Sequence, residues 1–466
     1  ARSGDVIFQD NTLLFIDSTS SMTVVDGNIV FQHLNNLITE PGTAIQVNGG
    51  SLTFRGSRCL FFDFVDVDVG GDLNMQLDSC LSFVSSAIGI EGGNLHAIDN
   101  FALSFSNSTI DIEGGNAIFD GTTLSSLSFV DIPFHIVEGN ANFLGHTDPS
   151  FLRTVLTVTN GGASFEGNTV SVWDFSSILI EDIEVNPFVL FKDSAITEFN
   201  DSDLQVTGGF LTLQDRVNST WTRSNITLIG ADLNFLGTGI HLLTDSDVSV
   251  SGAAGAMFGG SLFAGFYSTD FVVATEGSTV SFGGSTVLEF EDMLFAIPGG
   301  AVRLTGSSSV SYLDSQFNIL DGALSANNDI HYSLVNTPLS IQASVNGGIS
   351  ANGDANFTLT NSPIDMRSGD VAFYSTSSLT FTDPATTLSM FAGNFVFEDS
   401  SEFLTVQGTQ IDIVAGSFEL HDLVDVSFDQ VTTSVGGSVM LTNSAELHSL
   451  DSVFNITGTL NVEISA

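Results

Sequence analysis

Apolar and polar residues alternate in short bursts along this chain. Between Gly92 and Glu113 the sequence reads GGNLHAIDNFALSFSNSTIDIE. Three segments there have period 2: Leu95-His96-Ala97, Leu103-Ser104-Phe105 and Ile110-Asp111-Ile112. That is the strand period, and each segment is bounded by Gly, Asn, Asp or Ser, the residues of turns. A 3.6-residue helical period is not evident in this stretch. Three short strands and three turns close one coil. Coils laid on one another make a single-stranded parallel β-helix, an all-β solenoid, with strands ~4.8 Å apart.

Glycines repeat the unit along the chain. One from each turn gives Gly27, Gly50, Gly71, Gly93, Gly115, Gly139 and Gly162, at steps of 21 to 24 residues. Pro187 stands in for the next, and the series resumes at Gly209 and runs on to Gly458. A period near 22 over 466 residues predicts about 21 coils in one continuous domain, residues 1–466. At strand spacing that is a rod of about 100 Å. A propeller would need two such units per blade, so odd and even units should differ. They do not. Stacked coils also demand columns of like residues. Phe62, Phe83, Phe105 and Phe129 recur at steps of 21, 22 and 24, three of them in Leu-Ser-Phe. Phe8, Phe31 and Phe54 start a second column, continued by Met75, Ala97, Phe119, Phe143 and Phe165. Both are expected to be ladders of rings filling the interior, where offset stacking adds to burial.

Composition narrows the function. Nine Lys plus Arg against 54 Asp plus Glu leave a formal net charge of −45, and Lys192 is the single lysine. Nucleic acid and anionic lipid surfaces both require a basic footprint, so neither is an expected partner. A hydrophobic fraction of 42% and a mean hydropathy of +0.30 exclude disorder by low hydrophobicity. Two long uncharged runs have the length of a membrane span. Residues 330–353 are too polar, and Val248–Thr269 carries five glycines inside the periodic array. No span is expected.

Several columns carry candidate chemistry. Glu91, Glu113 and Glu138 each precede a glycine turn, in IGIEGG, IDIEGG and HIVEGN. Neighbours about 5 Å apart would repel unless a cation bridged them, so this is either a solvated acidic edge or a calcium column. Asp203, Asn225, Asp247 and Asp270 form a second column, expected to be a turn ladder because Asn and Asp tolerate left-handed backbone. Arg223 falls between Asp201 and Asp245, which predicts an ion pair along the stack. Cys59 and Cys80 lie one coil apart, in RCLFF and SCLSF, as a disulfide or as two free thiols. Six sequons, at Asn107, Asn200, Asn218, Asn225, Asn356 and Asn455, are candidate glycosylation sites. The eight histidines are scattered without zinc-ligand spacing, and no nucleophile-elbow or phosphate-loop motif occurs. Catalysis is therefore not expected.

Gly161-Gly162-Ala163-Ser164-Phe165-Glu166-Gly167-Asn168 is similar to the paired Gly-Gly-Ala and Phe-x-x-Asn motifs of chlamydial polymorphic membrane proteins. The chain as a whole resembles the repeat rods of bacterial autotransporter passengers and β-helical surface adhesins. That resemblance is architectural and covers nearly the whole chain. It implies an extracellular or cell-surface rod. Parallel β-helix pectin-cleaving enzymes resemble the chain in coil architecture only, since no Asn-Thr-Asp or Gly-His-Gly motif is present. Gly4-Asp5-Val6-Ile7-Phe8 and Thr459-Leu460-Asn461-Val462-Glu463-Ile464 both read as first strands without caps. Bare coils expose strand edges, so either further chain or other subunits are expected to cover them. The expected function is a non-enzymatic structural rod that assembles head to tail with copies of itself into a fibre or surface layer. A single-chain adhesin stalk that binds glycans, and a β-helical carbohydrate-active enzyme or tailspike, are the alternatives.

Overall fold

Alternation dictates which side chains turn inward. In the computed structural model Leu95–Ile98, Phe101–Ser106 and Thr109–Glu113 are strands with every second residue buried. The structure describes residues 4–463 apart from 11–12, 34–35, 57–58, 78, 100, 182–186, 253–254, 274–277, 298–299, 321 and 343–347. Among them 66% are strand and none is helical, in a parallel β-solenoid of about 19 turns. The expected number, about 21, is close to this. The chain divides into two compact units, residues 1–231 and 232–466.

In the first unit, one face stacks strands from Val6–Gln9 through Leu95–Ile98 to Phe210–Leu213, parallel and in register. A second face runs from Leu13–Ile16 to Asn218–Thr222 and a third from Ser21–Val25 to Asn225–Ile229. Ala117–Val130 and Ala141–Leu152 pass from the first face to the second without a break, with a register shift between Gly121 and Ser125. Phe62, Phe83, Phe105 and Phe129 are buried in one column, with centroids 4.7, 5.3 and 5.4 Å apart. Phe151, Trp173, Phe199 and Trp221 extend it. On the first face Phe8, Phe31 and Phe54 stack at 5.2 and 5.1 Å, and Met75 and Ala97 follow in register.

The second unit repeats the plan. Its faces run from Asp232–Gly237 to Leu460–Glu463, from Ile240–Thr244 to Glu446–Leu450, and from Val248–Ser251 to Val453–Ile456. The apolar run Val248–Thr269 supplies three solenoid strands, Val248–Ser251, Ala256–Gly260 and Phe263–Tyr267. Among the described residues no helix is long and apolar enough to cross a membrane. Phe235, Phe258 and Phe282 stack at 5.0 and 5.1 Å, and Phe266, Phe290 and Tyr312 at 5.0 and 4.5 Å.

The glycine period has a steric cause. At the corner that leads into the first face, backbones of successive coils nearly touch. A Cβ on Gly115 would overlap the carbonyl oxygen of Gly93, and one on Gly139 that of Gly115. The same holds for Gly416 against Gly393 and Gly458 against Gly437. Gly162 and Gly348 lie one position off this column, opposite Phe188 and Asp370. Gly161 is the member that meets Gly139.

Candidate functional site

The polar chemistry of the coils concentrates at their corners. Between the second and third faces one residue per coil turns left-handed: Ser85, Asn107, Asp131, Arg153, Phe175, Asp201 and Arg223 have φ of 48, 49, 54, 50, 49, 49 and 49°. The next residue is commonly an inward Ser or Thr. Its hydroxyl accepts a hydrogen bond from the equivalent N–H of the preceding coil. Thr154 N donates to Ser176 Oγ, Ser176 N to Ser202 Oγ and Ser202 N to Ser224 Oγ, each at 3.0 Å. The hydroxyl itself donates two residues back, as Ser202 Oγ does to Asn200 O at 2.8 Å. In the second unit Ser315 N to Thr337 Oγ1 (3.1 Å) and Thr337 N to Ser362 Oγ (3.0 Å) continue the device. Buried backbone N–H groups that the sheets cannot reach are thereby satisfied.

A second ladder joins the coils at the glycine corner. Asn94 N donates to Asp72 Oδ1, Asn116 N to Asn94 Oδ1, Asn140 N to Asn116 Oδ1 and Gly162 N to Asn140 Oδ1, all at 2.9 Å. Neither ladder was foreseen. For the hydroxyl ladder the signal was Asn or Asp, then Ser, then one residue, then an aliphatic: Asn107-Ser108-Thr109-Ile110 and Asp201-Ser202-Asp203-Leu204.

The acidic column is shorter than expected. Glu91 and Glu113 are register partners, but Val137, not Glu138, lies opposite Glu113. Glu138 has φ 57° and takes the left-handed corner position that Gly92 and Gly114 occupy in earlier coils. All three carboxylates are exposed. Among the described residues no group of three or more His, Cys, Asp or Glu is arranged to hold a metal ion. The Asp203 column does form side-chain bonds from coil to coil, but its members are not the left-handed residues. Asp203 and Asn225 begin third-face strands, and Asn225 Nδ2 donates to Asp203 Oδ1 at 2.9 Å. The left-handed residues lie two positions earlier, at Asp201, Arg223 and Asp245. In the second unit Asp270 N donates to Asp247 Oδ1 at 3.4 Å.

Arg223 bonds Asp201 through Nε and Nη2 at 2.7 and 2.6 Å, and Arg153 bonds Asp131 at 2.5 and 2.7 Å. These guanidinium hydrogen bonds hold both carboxyls below their ordinary pKa. Being exposed, the pairs add little to stability. Cys59, just before strand Leu60–Asp63, and Cys80, in the next second-face strand Ser79–Val84, form a disulfide, with Cα atoms 4.3 Å apart. Among the sequon asparagines, Asn107, Asn218, Asn225 and Asn455 are exposed. Asn200 and Asn356 are half-buried, and each donates its Nδ2 within the fold, to Asp174 Oδ1 at 2.9 Å and to Asp354 O at 3.2 Å.

The histidines stay apart, and His135 pairs with Asp111 at 3.0 Å. His241 differs: it is buried on strand Ile240–Thr244, 4.7 Å from the Phe235 ring, and burial lowers its pKa to about 3. An open groove of about 440 Å³ lies on the first face of the second unit, lined by Ser325, Ser350, Asp370, Ala372 and Tyr374 among others. Burial, with Glu398 and Asp370 nearby, raises the Tyr374 phenol above its ordinary pKa. The groove offers hydroxyls and one carboxylate to a polar ligand.

No known protein-family description matches this chain, and a search of curated proteins finds no match either.

Proposed function

We propose that the chain is a non-enzymatic structural protein, an extracellular rod akin to autotransporter passengers, whose coils take coils of further copies end to end. The observation that carries this reading is the coil-on-coil register: within each unit, strands of successive coils pair parallel at one period, as Leu73–Gln76 does with Leu95–Ile98 and Gly300–Gly306 with Ala323–Asn328. Coils of a second copy have the same period and join by the same pairing. Successive copies joined by a non-closing contact build a filament. The formal charge of −45 opposes side-by-side clumping and leaves end-on contact as the favoured geometry.

The corner ladders support a structural role. They commit Asn, Ser and Thr side chains to coil-to-coil bonding. The adhesin-stalk reading has its own support in Phe61 and Phe64, exposed on the second face and its corner in the first unit. Negative-stain microscopy of the purified chain separates the two. Fibres of indefinite length are expected from end-to-end assembly. Uniform single rods that persist at high protein concentration contradict it.

A further inference from the structure

We infer that the Cys59–Cys80 bond is a redox-sensitive latch on one coil interface, loosening that interface locally when reduced. The chain has only these two cysteines. Their bond crosses from the coil holding Phe54 and Phe62 to the coil holding Met75 and Phe83. One of the two aromatic columns fails at this interface. Phe31 and Phe54 stack at 5.1 Å on the first face, but Phe54 meets Met75, and Met75 meets Ala97. The second-face stack continues alone there, Phe62 on Phe83 at 4.7 Å. The covalent tie therefore lies where ring stacking between coils is halved.

The bond is also reachable. Cys59 is exposed and Cys80 half-buried. A dithiol reductant attacks the Cys59 sulfur as a thiolate. The S–S electron pair leaves on Cys80, which takes up a proton. The second thiol of the reductant then displaces Cys59, so the protein gains two thiols and the dithiol becomes a cyclic disulfide. Opening the one-coil loop returns its closure entropy to the open state, which favours opening of the interface by about a hundredfold. Coils depend mainly on their immediate neighbours, so the change stays near the latch.

Hydrogen exchange read by mass spectrometry tests this, with and without dithiothreitol on the full chain. Reduction is expected to speed exchange by about a hundredfold in Leu52–Arg55, Leu60–Asp63, Leu73–Gln76 and Ser79–Val84. Strand Phe188–Phe191 and the strands of the second unit should not change. The Cys80→Ser variant should behave as the reduced protein without any reductant. Met75→Phe restores a ring at the gap and should return most of the protection under dithiothreitol. Unchanged exchange at the four strands, or an equal rise at Phe188–Phe191, would overturn the latch. A Met75→Phe variant that folds but restores nothing would overturn its link to the missing ring.

Discussion

Replacing His241 by phenylalanine should remove an acid sensitivity built into the second unit. The side chain is 1% exposed, on a strand whose neighbour places Ala264 opposite it. Burial depresses its folded-state pKa from 6.5 to about 3. The unfolded chain therefore binds a proton that the folded chain refuses, and stability falls as pH drops below 6.5 until about 3. Within that window the opening equilibrium rises about tenfold per pH unit. Two units below the unfolded value, near pH 4.5, the wild type is weakened about a hundredfold, or about 3 kcal/mol, through this one group. Phenylalanine does not titrate, and its neighbour Phe235 offers a stacking surface. Hydrogen exchange of Ile240–Thr244 and Phe263–Tyr267, corrected for the intrinsic pH dependence of exchange, reads the local opening. From pH 6.5 to 4.5 the wild type's opening should rise about fiftyfold more than the variant's does. Parallel pH profiles for the two proteins would refute the reasoning.

Three further outcomes follow from the corners and the charge. Gly115→Ala places a Cβ on the Gly93 carbonyl oxygen, and should cost about 2 kcal/mol in a denaturant titration. Ser202→Ala leaves the buried Ser176 N–H without its acceptor, and should cost about 1–3 kcal/mol by the same titration. Glu113→Gln relieves the repulsion with its register partner Glu91, so its melting temperature should exceed the wild type's in low salt, and the gap should close as sodium chloride is added.

The core was legible because inward positions obey two periods at once. Phe83 and Phe105 recur at the strand period within a coil and at the coil period along the chain, so the residues alone bring their rings together. The glycine column was legible for a related reason, since backbone contact admits no side chain at Gly93, Gly115 or Gly139. The acidic column failed at Glu138 because local wording resembled earlier coils while the count did not. In IDIEGG a glycine takes the left-handed position, whereas in HIVEGN the glutamate does. Turn chemistry allows either, and only register tells them apart. Asp203 misled in the same way, standing two residues after the left-handed Asp201. The hydroxyl ladder was not legible because Ser and Thr are common throughout. Its mark was position after a left-handed residue, which composition does not carry.

Pulsed electron-electron spin resonance across coils of the first unit tests the stacking itself. Asp66, Ala87, Thr109, Pro133, Val155, Ser177, Asp203 and Asn225 begin successive third-face strands and follow one another in register. Spin labels on Asp66 and Asn225 should be about 34 Å apart, and labels on Asp66 and Ser177 about 24 Å, since each coil adds ~4.8 Å. Distances that grow by one strand spacing per coil are the predicted result. Distances unrelated to the number of intervening coils would contradict the solenoid.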